Sequence, residues 1–126
     1  MRSFIIAPIL LAAVLTSLFL YDGYVKRESD ALLKALDPAE KAVGEENWEK
    51  AEAVLSEAGR LIEEKTPRLA IFTDHDILDE IGEISARASA YAKNREGPEL
   101  AAEIEALKTK IAHIPKRESF SFYNIF

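Results

Sequence analysis

Cysteine is absent from this chain of 126 residues, and glycine, proline, histidine, tryptophan and methionine are scarce, at five, five, two, one and one. Without cysteine there is no disulfide, no thiolate zinc site and no cysteine nucleophile. The scattered glycines build no phosphate-cradling loop, and no serine is flanked by glycines or paired with lysine in a nucleophile motif. No acid pair for glycoside chemistry can be picked out among 22 candidates. A basic excess is missing too: 16 Lys and Arg face 22 Asp and Glu, a net charge of -6. That balance excludes a nucleic-acid groove, which needs a positive face. The body of the chain has no period-two strand pattern and no glycine- or serine-rich linker. The expectation is a non-enzymatic protein that needs no cofactor.

What is present is divided sharply along the chain. Phe4 to Tyr21 reads FIIAPILLAAVLTSLFLY with no charged residue. As a helix these residues reach roughly 27 Å, close to a bilayer's hydrocarbon thickness. Tyr21 and Tyr24 stand where amphipathic rings favour the interface, and Lys26 and Arg27 where headgroups lie. The run is too long, and its end Leu18–Tyr21 too bulky, for a good signal-peptidase site, so it reads as an uncleaved anchor rather than a cleaved signal or a core helix. Pro8 falls in the first turns, where its missing N–H removes little. The positive-inside count is nearly tied, with Arg2 and the α-amine before the run and Lys26 and Arg27 after it. The short N-terminal head is expected to stay in the cytoplasm. That makes a single-pass protein of the cell membrane with its soluble part extracytoplasmic.

After Asp22 the chain is acidic and helically patterned. Leu32, Leu33, Leu36 and Val43 recur at helical spacing, and Asp37-Pro38 predicts a kink or break. Gly44 reads as a helix end. Trp48, Ala51, Leu55, Ala58 and Leu61 or Ile62 share one face of a helix over about 46–64, with Asn47 or Glu46 as cap and Trp48 packed inward. Thr66-Pro67 predicts another start, and Thr73 to Asp76 a capping box. The apolar set 77, 78, 81, 84, 88 and 91 then forms one stripe. Pro98 opens a last helix with Leu100, Ala101, Ile104, Leu107, Ile111 and Ile114 on one side, and Pro115 stops it. The pattern predicts an all-α protein: an N-terminal transmembrane anchor (1–24), an antiparallel bundle of three to four helices (25–118) and an apolar C-terminal tail (119–126).

Two places invite chemistry. His75 and Asp79 are i,i+4 neighbours amid Asp74, Asp76, Glu80 and Glu83, and a carboxylate–imidazole pair suits zinc or manganese. A metal needs further ligands, and the one other histidine is His113, so solvated acids at a helix start explain the cluster without a metal. The tail is the second place. Ser119 to Phe122 alternates with period two, and Phe120, Phe122, Tyr123, Ile125 and Phe126 make a chain end far more apolar than termini usually are. It is expected to cover the open end of the bundle, to lie on the membrane surface, or to dock a partner. The partners predicted are membrane lipid, through the N-terminal helix, and another membrane or envelope protein. The runner-up reading is an extracytoplasmic ligand- or metal-sensing domain using His75 and its acids, with a metal-dependent enzyme third.

Taken in order, the anchor, Asn47–Ala51, Asp74–Ile81, Glu99–Leu107, His113–Pro115 and Asn124–Phe126 resemble an uncharacterised family of small membrane-anchored bacterial proteins. That family is best known from spore-forming Firmicutes and is described only as a domain of unknown function. The resemblance implies a helical envelope protein and supplies no activity or ligand. Pro38 and Pro67 depart from the continuous helix it implies, as does the lack of a second tryptophan before His75. Trp48, Ala51 and Leu55 are also similar to a first tetratricopeptide helix, but no second copy follows at about 34 residues.

Overall fold

The computed structural model describes residues 2–71 and 73–125, with Ser3 and residues 116–125 described by their backbone alone. Four helices account for it: α1 (Arg2–Gly44), α2 (Trp48–Leu69), α3 (His75–Lys93) and α4 (Gly97–Ile125). No strand occurs among the described residues.

The helices form a square. Helix α1 packs on α2 and α4, and α3 packs on the same two, while among the described residues no Cα atoms of the diagonal pairs come within 8 Å of each other. Short connections force each sequential pair to be antiparallel. The second half of α1 is thus one corner of a four-helix bundle, and its first half projects alone.

The interior follows the apolar rows. Leu32, Leu36, Ala39 and Ala42 from α1 meet Ala51, Leu55, Ala58 and Ile62 from α2, Ile81, Ile84, Ala88 and Ala92 from α3, and Leu100, Ile104, Leu107, Ile111 and Ile114 from α4. Val25 and Ser29 extend the buried row of α1 toward the apolar run, whereas Ala101 of the expected α4 row is exposed. Alanines gather at the distal end of the bundle, away from the apolar run. There the half-buried Trp48 fills space instead of lying fully inside.

Both distal joints share one device. Glu46 N–H donates to Val43 O at 3.1 Å and Asn47 N–H to Ala42 O at 2.8 Å, with Glu46 at φ 56°. At the other joint, Arg95 N–H donates to Ala92 O at 3.2 Å and Glu96 N–H to Tyr91 O at 3.0 Å, with Arg95 at φ 57°. Each is a Schellman closure with a non-glycine residue in the left-handed position. Gly44 is therefore the last helical residue and not the left-handed one. Asn47 then caps α2, its side chain accepting from Lys50 N–H.

Several expected breaks are absent. Helix α1 runs through Pro38, α2 through Pro67 to Leu69, and α4 through Pro115 to Ile125. Each proline removes one i→i−4 bond. Pro38 and Pro67 are exposed, as are Lys34 and Glu63, whose carbonyls lose the donor, so water can replace it. Core residues on either side of Pro38 (Leu36 and Ala39) and of Pro67 (Ile62 and Leu69) hold both flanks in line. The period-two reading of Ser119–Phe122 is likewise overturned, because that backbone is helical. A break does fall near Thr73, but Asp74 and not Thr73 caps α3, accepting from Asp76 N–H at 3.2 Å.

Candidate functional site

Among the described side chains, the first half of α1 is the most exposed apolar surface. Phe4, Ile5, Ile6, Ile9, Leu10, Leu11, Val14, Leu15, Phe19 and Leu20 are all more than two-fifths exposed, Phe4 at 83% and Phe19 at 80%. The most apolar 18-residue stretch of this helix has a mean hydropathy of 2.4 and none of it is buried in the fold. It is apolar on every side, so it is no core helix of this bundle. Leaving so many large side chains in water forgoes on the order of ten kcal/mol of burial. Ser17 Oγ donates to Ala13 O at 2.8 Å and so needs no outside partner. By length and composition this helix can cross a membrane.

His75 and Asp79 are exposed on the first turns of α3. The fold brings no third ligand: among the described residues no group of three or more His, Asp or Glu is placed to hold a metal. Asp74 is spent on the cap, and Glu80 pairs with Lys110 Nζ of α4 at 2.5 Å. His113 is exposed and lies within α4, not at its end, because the helix continues past Pro115. Two hydroxyls, Ser29 Oγ and Thr73 Oγ1, are buried with no hydrogen-bond partner among the described residues.

Ion pairs tie three of the four seams. Lys108 Nζ reaches Asp37 Oδ1 at 3.3 Å and Glu40 Oε1 at 3.1 Å across α1–α4. Its hydrogen bond to Glu40 leads the causes that raise the Lys108 ammonium above its ordinary range. Lys65 pairs with Glu28 across α1–α2, and Arg87 with Glu103 at 3.3 Å across α3–α4. No such pair crosses α2–α3 among the described residues. There Arg60 is held within α2 by Glu57 at 2.6 Å and Glu64 at 3.0 Å. The Arg60 hydrogen bond in turn lowers the Glu57 carboxyl below its usual range.

That seam instead carries an open groove of about 330 Å³ between Ser56, Gly59 and Arg60 of α2 and Gly82, Ser85 and Ser89 of α3. Sequence reasoning missed it. The signal was available as small residues at three- and four-residue spacing on both helices.

Of the tail residues expected to meet a partner, Phe120, Phe122, Tyr123 and Ile125 lie on the helical continuation of α4, and Phe126 lies outside the described residues.

Fold and surface together define a four-helix bundle protein whose first helix projects as a long apolar rod. The chain belongs to the family described as Domain of unknown function (DUF4363), which matches residues 19–125 and so takes in the bundle and the end of α4. No curated protein and no solved structure matches the chain.

Proposed function

We propose that this chain is a membrane-tethered, non-enzymatic accessory protein of the bacterial cell envelope that presents its bundle to another envelope protein. The observation that carries this reading is the continuity of α1. One helix of 43 residues contains both the exposed apolar stretch and a full corner of the bundle. It is about 64 Å long, enough for a bilayer crossing and a bundle edge of similar length. A flexible linker would let the bundle diffuse around its tether, whereas a continuous helix restricts its height and tilt. Such a restriction serves a protein that must meet a partner at a set distance from the lipid. The protein is read as single-pass, with the bundle on the extracytoplasmic side.

The test is crosslinking and pull-down from native membranes, comparing the full chain with one lacking Phe120–Phe126. A stoichiometric partner retained by both places the contact on the bundle. A partner lost on truncation places it on the tail. No partner in either sample overturns the accessory reading in favour of ligand sensing.

A further inference from the structure

We infer that the end of α4, residues 118–125, lies in the lipid headgroup interface beside α1 and gives the bundle a second, shallow membrane contact. This rests on the reading in which α1 crosses the membrane.

Register is the first argument. Lys108 stands level with Asp37 and Glu40 of the antiparallel α1. Ile125, the last residue of α4, is 17 residues further on, or about 25 Å along the axis. The same descent along α1 ends near residues 20–23. Leu20 there is 63% exposed, and Tyr21 and Tyr24 begin the packing against the core. The end of α4 thus reaches the level at which the apolar run of α1 stops.

Loss of a neighbour is the second. Lys110 pairs with Glu80, and α3 begins only five residues earlier, at His75. The corresponding level on α4 is about residue 115. Among the described residues α3 does not extend past that level, and the square contacts put α2 on the diagonal from α4.

Helical phase is the third. Leu107, Ile111 and Ile114 form the buried row, and the helical phase of that row passes through positions 118, 122 and 125. Phe120 lies about 160° away from that row and Tyr123 about 140°. A core on one side of the helix has no use for apolar residues on the other.

Chemistry then selects the occupant. Aromatic residues concentrate at membrane–water interfaces, where their rings are partly dehydrated. Lys116 and Arg117 precede the aromatic segment by about one turn, a position for headgroup phosphates. Tyr21 and Tyr24 mark the same depth on α1. A lipid surface satisfies an apolar face of this width without requiring shape complementarity.

The test uses the absence of cysteine. Full chains carrying Ala12→Cys, Arg95→Cys or Tyr123→Cys are labelled with an environment-sensitive dye and reconstituted into phosphatidylethanolamine–phosphatidylglycerol vesicles. Quenching by brominated lipid is compared with quenching by aqueous iodide. The Ala12 label is expected deep in lipid and the Arg95 label in water. The Tyr123 label is expected to be quenched by shallowly brominated lipid, with iodide quenching several-fold weaker than at Arg95. If the Tyr123 label behaves like that at Arg95, or is shielded from both quenchers, the interfacial placement is wrong while the anchor stands. If the Ala12 label is open to iodide, the anchor reading itself fails. A photocrosslinker at Tyr123 that captures a protein rather than lipid in native membranes overturns the inference in favour of a docking segment.

Discussion

Gly97 lies against the ring of Trp48: a Cβ at Gly97 would stand 3.3 Å from Trp48 Cη2. The first residue of α2 and the first of α4 thus meet at the distal end, where the two Schellman joints sit side by side. An alanine at Gly97 requires the ring to yield a few tenths of an ångström, and a half-buried ring can do so. Gly97→Ala is expected to change the emission of this single tryptophan while moving stability little. Gly97→Val overpacks the site and is expected to cost about 1–3 kcal/mol. In a Trp48→Ala background that cost should largely disappear, and denaturant titration of the double-mutant cycle measures the coupling.

Glu46 and Arg95 hold a left-handed backbone that costs a non-glycine residue about 1–2 kcal/mol. Glycine avoids that cost but loses more chain entropy on folding. Glu46→Gly and Arg95→Gly are each expected to stabilise the bundle by about 0.5–1 kcal/mol. Because the sites lie in separate joints, the two gains should add in a chemical denaturation series.

Asp74 and His75 are adjacent yet should behave differently. Asp74→Ala removes the cap on Asp76 N–H and is expected to cost about 1 kcal/mol. His75→Ala and Asp79→Ala change exposed side chains and should stay within about 0.5 kcal/mol. A thermal-shift titration with zinc and manganese is expected to show no response in the unmodified chain. A response lost in His75→Ala would revive the sensing reading.

Lys108 sets an alkaline limit. Its folded pKa is raised above the ordinary 10.5, chiefly by the hydrogen bond to Glu40. The contribution is therefore fully present below the unfolded value and is lost as pH rises through the higher folded one. Lys108→Met should remove that alkaline slope and cost less than about 1 kcal/mol at neutral pH. Denaturation midpoints measured from neutral pH to above 10.5 read both effects. At the acid end, Glu57 has its folded pKa lowered by Arg60, so its contribution is present above 4.5 and fades as pH falls through the folded value.

Pro38 leaves Lys34 O without its helical donor on an exposed face of α1. Pro38→Ala restores that bond and relieves the ring's clash, at the cost of a more flexible unfolded chain. The expected gain is about 1–3 kcal/mol. A loss of stability would mean that the proline sets a bend the bundle needs.

Much of the interior was legible in the sequence. The α2 row Ala51, Leu55, Ala58 and Ile62 and the α4 row from Leu100 to Ile114 were readable as period-3.6 patterns and are buried, with Ala101 the exception. The small residues Ser29, Ala39 and Ala42 were not, because a stripe is recognised by its large members. The end expected at Gly44 was right, whereas the breaks expected at Pro38 and Pro67 were misplaced for another reason. A proline's local cost is a few kcal/mol at most, and core contacts on both flanks exceed it. Only packing against neighbouring helices reveals those contacts. The α2–α3 groove was missed because the small residues that open it, Ser56, Gly59, Gly82, Ser85 and Ser89, leave a spacing pattern but no apolar stripe.

The sequence by itself determined that one end is an apolar rod and the rest an acidic set of amphipathic helices. Composition and periodicity are local properties, carried by each segment alone. The tertiary structure decided that rod and bundle share one unbroken helix. It decided also that α4 runs back to the level of Tyr21, and that no third ligand joins His75 and Asp79 among the described residues. Each of these depends on what lies beside a residue in space, and packing of the square bundle sets that neighbourhood.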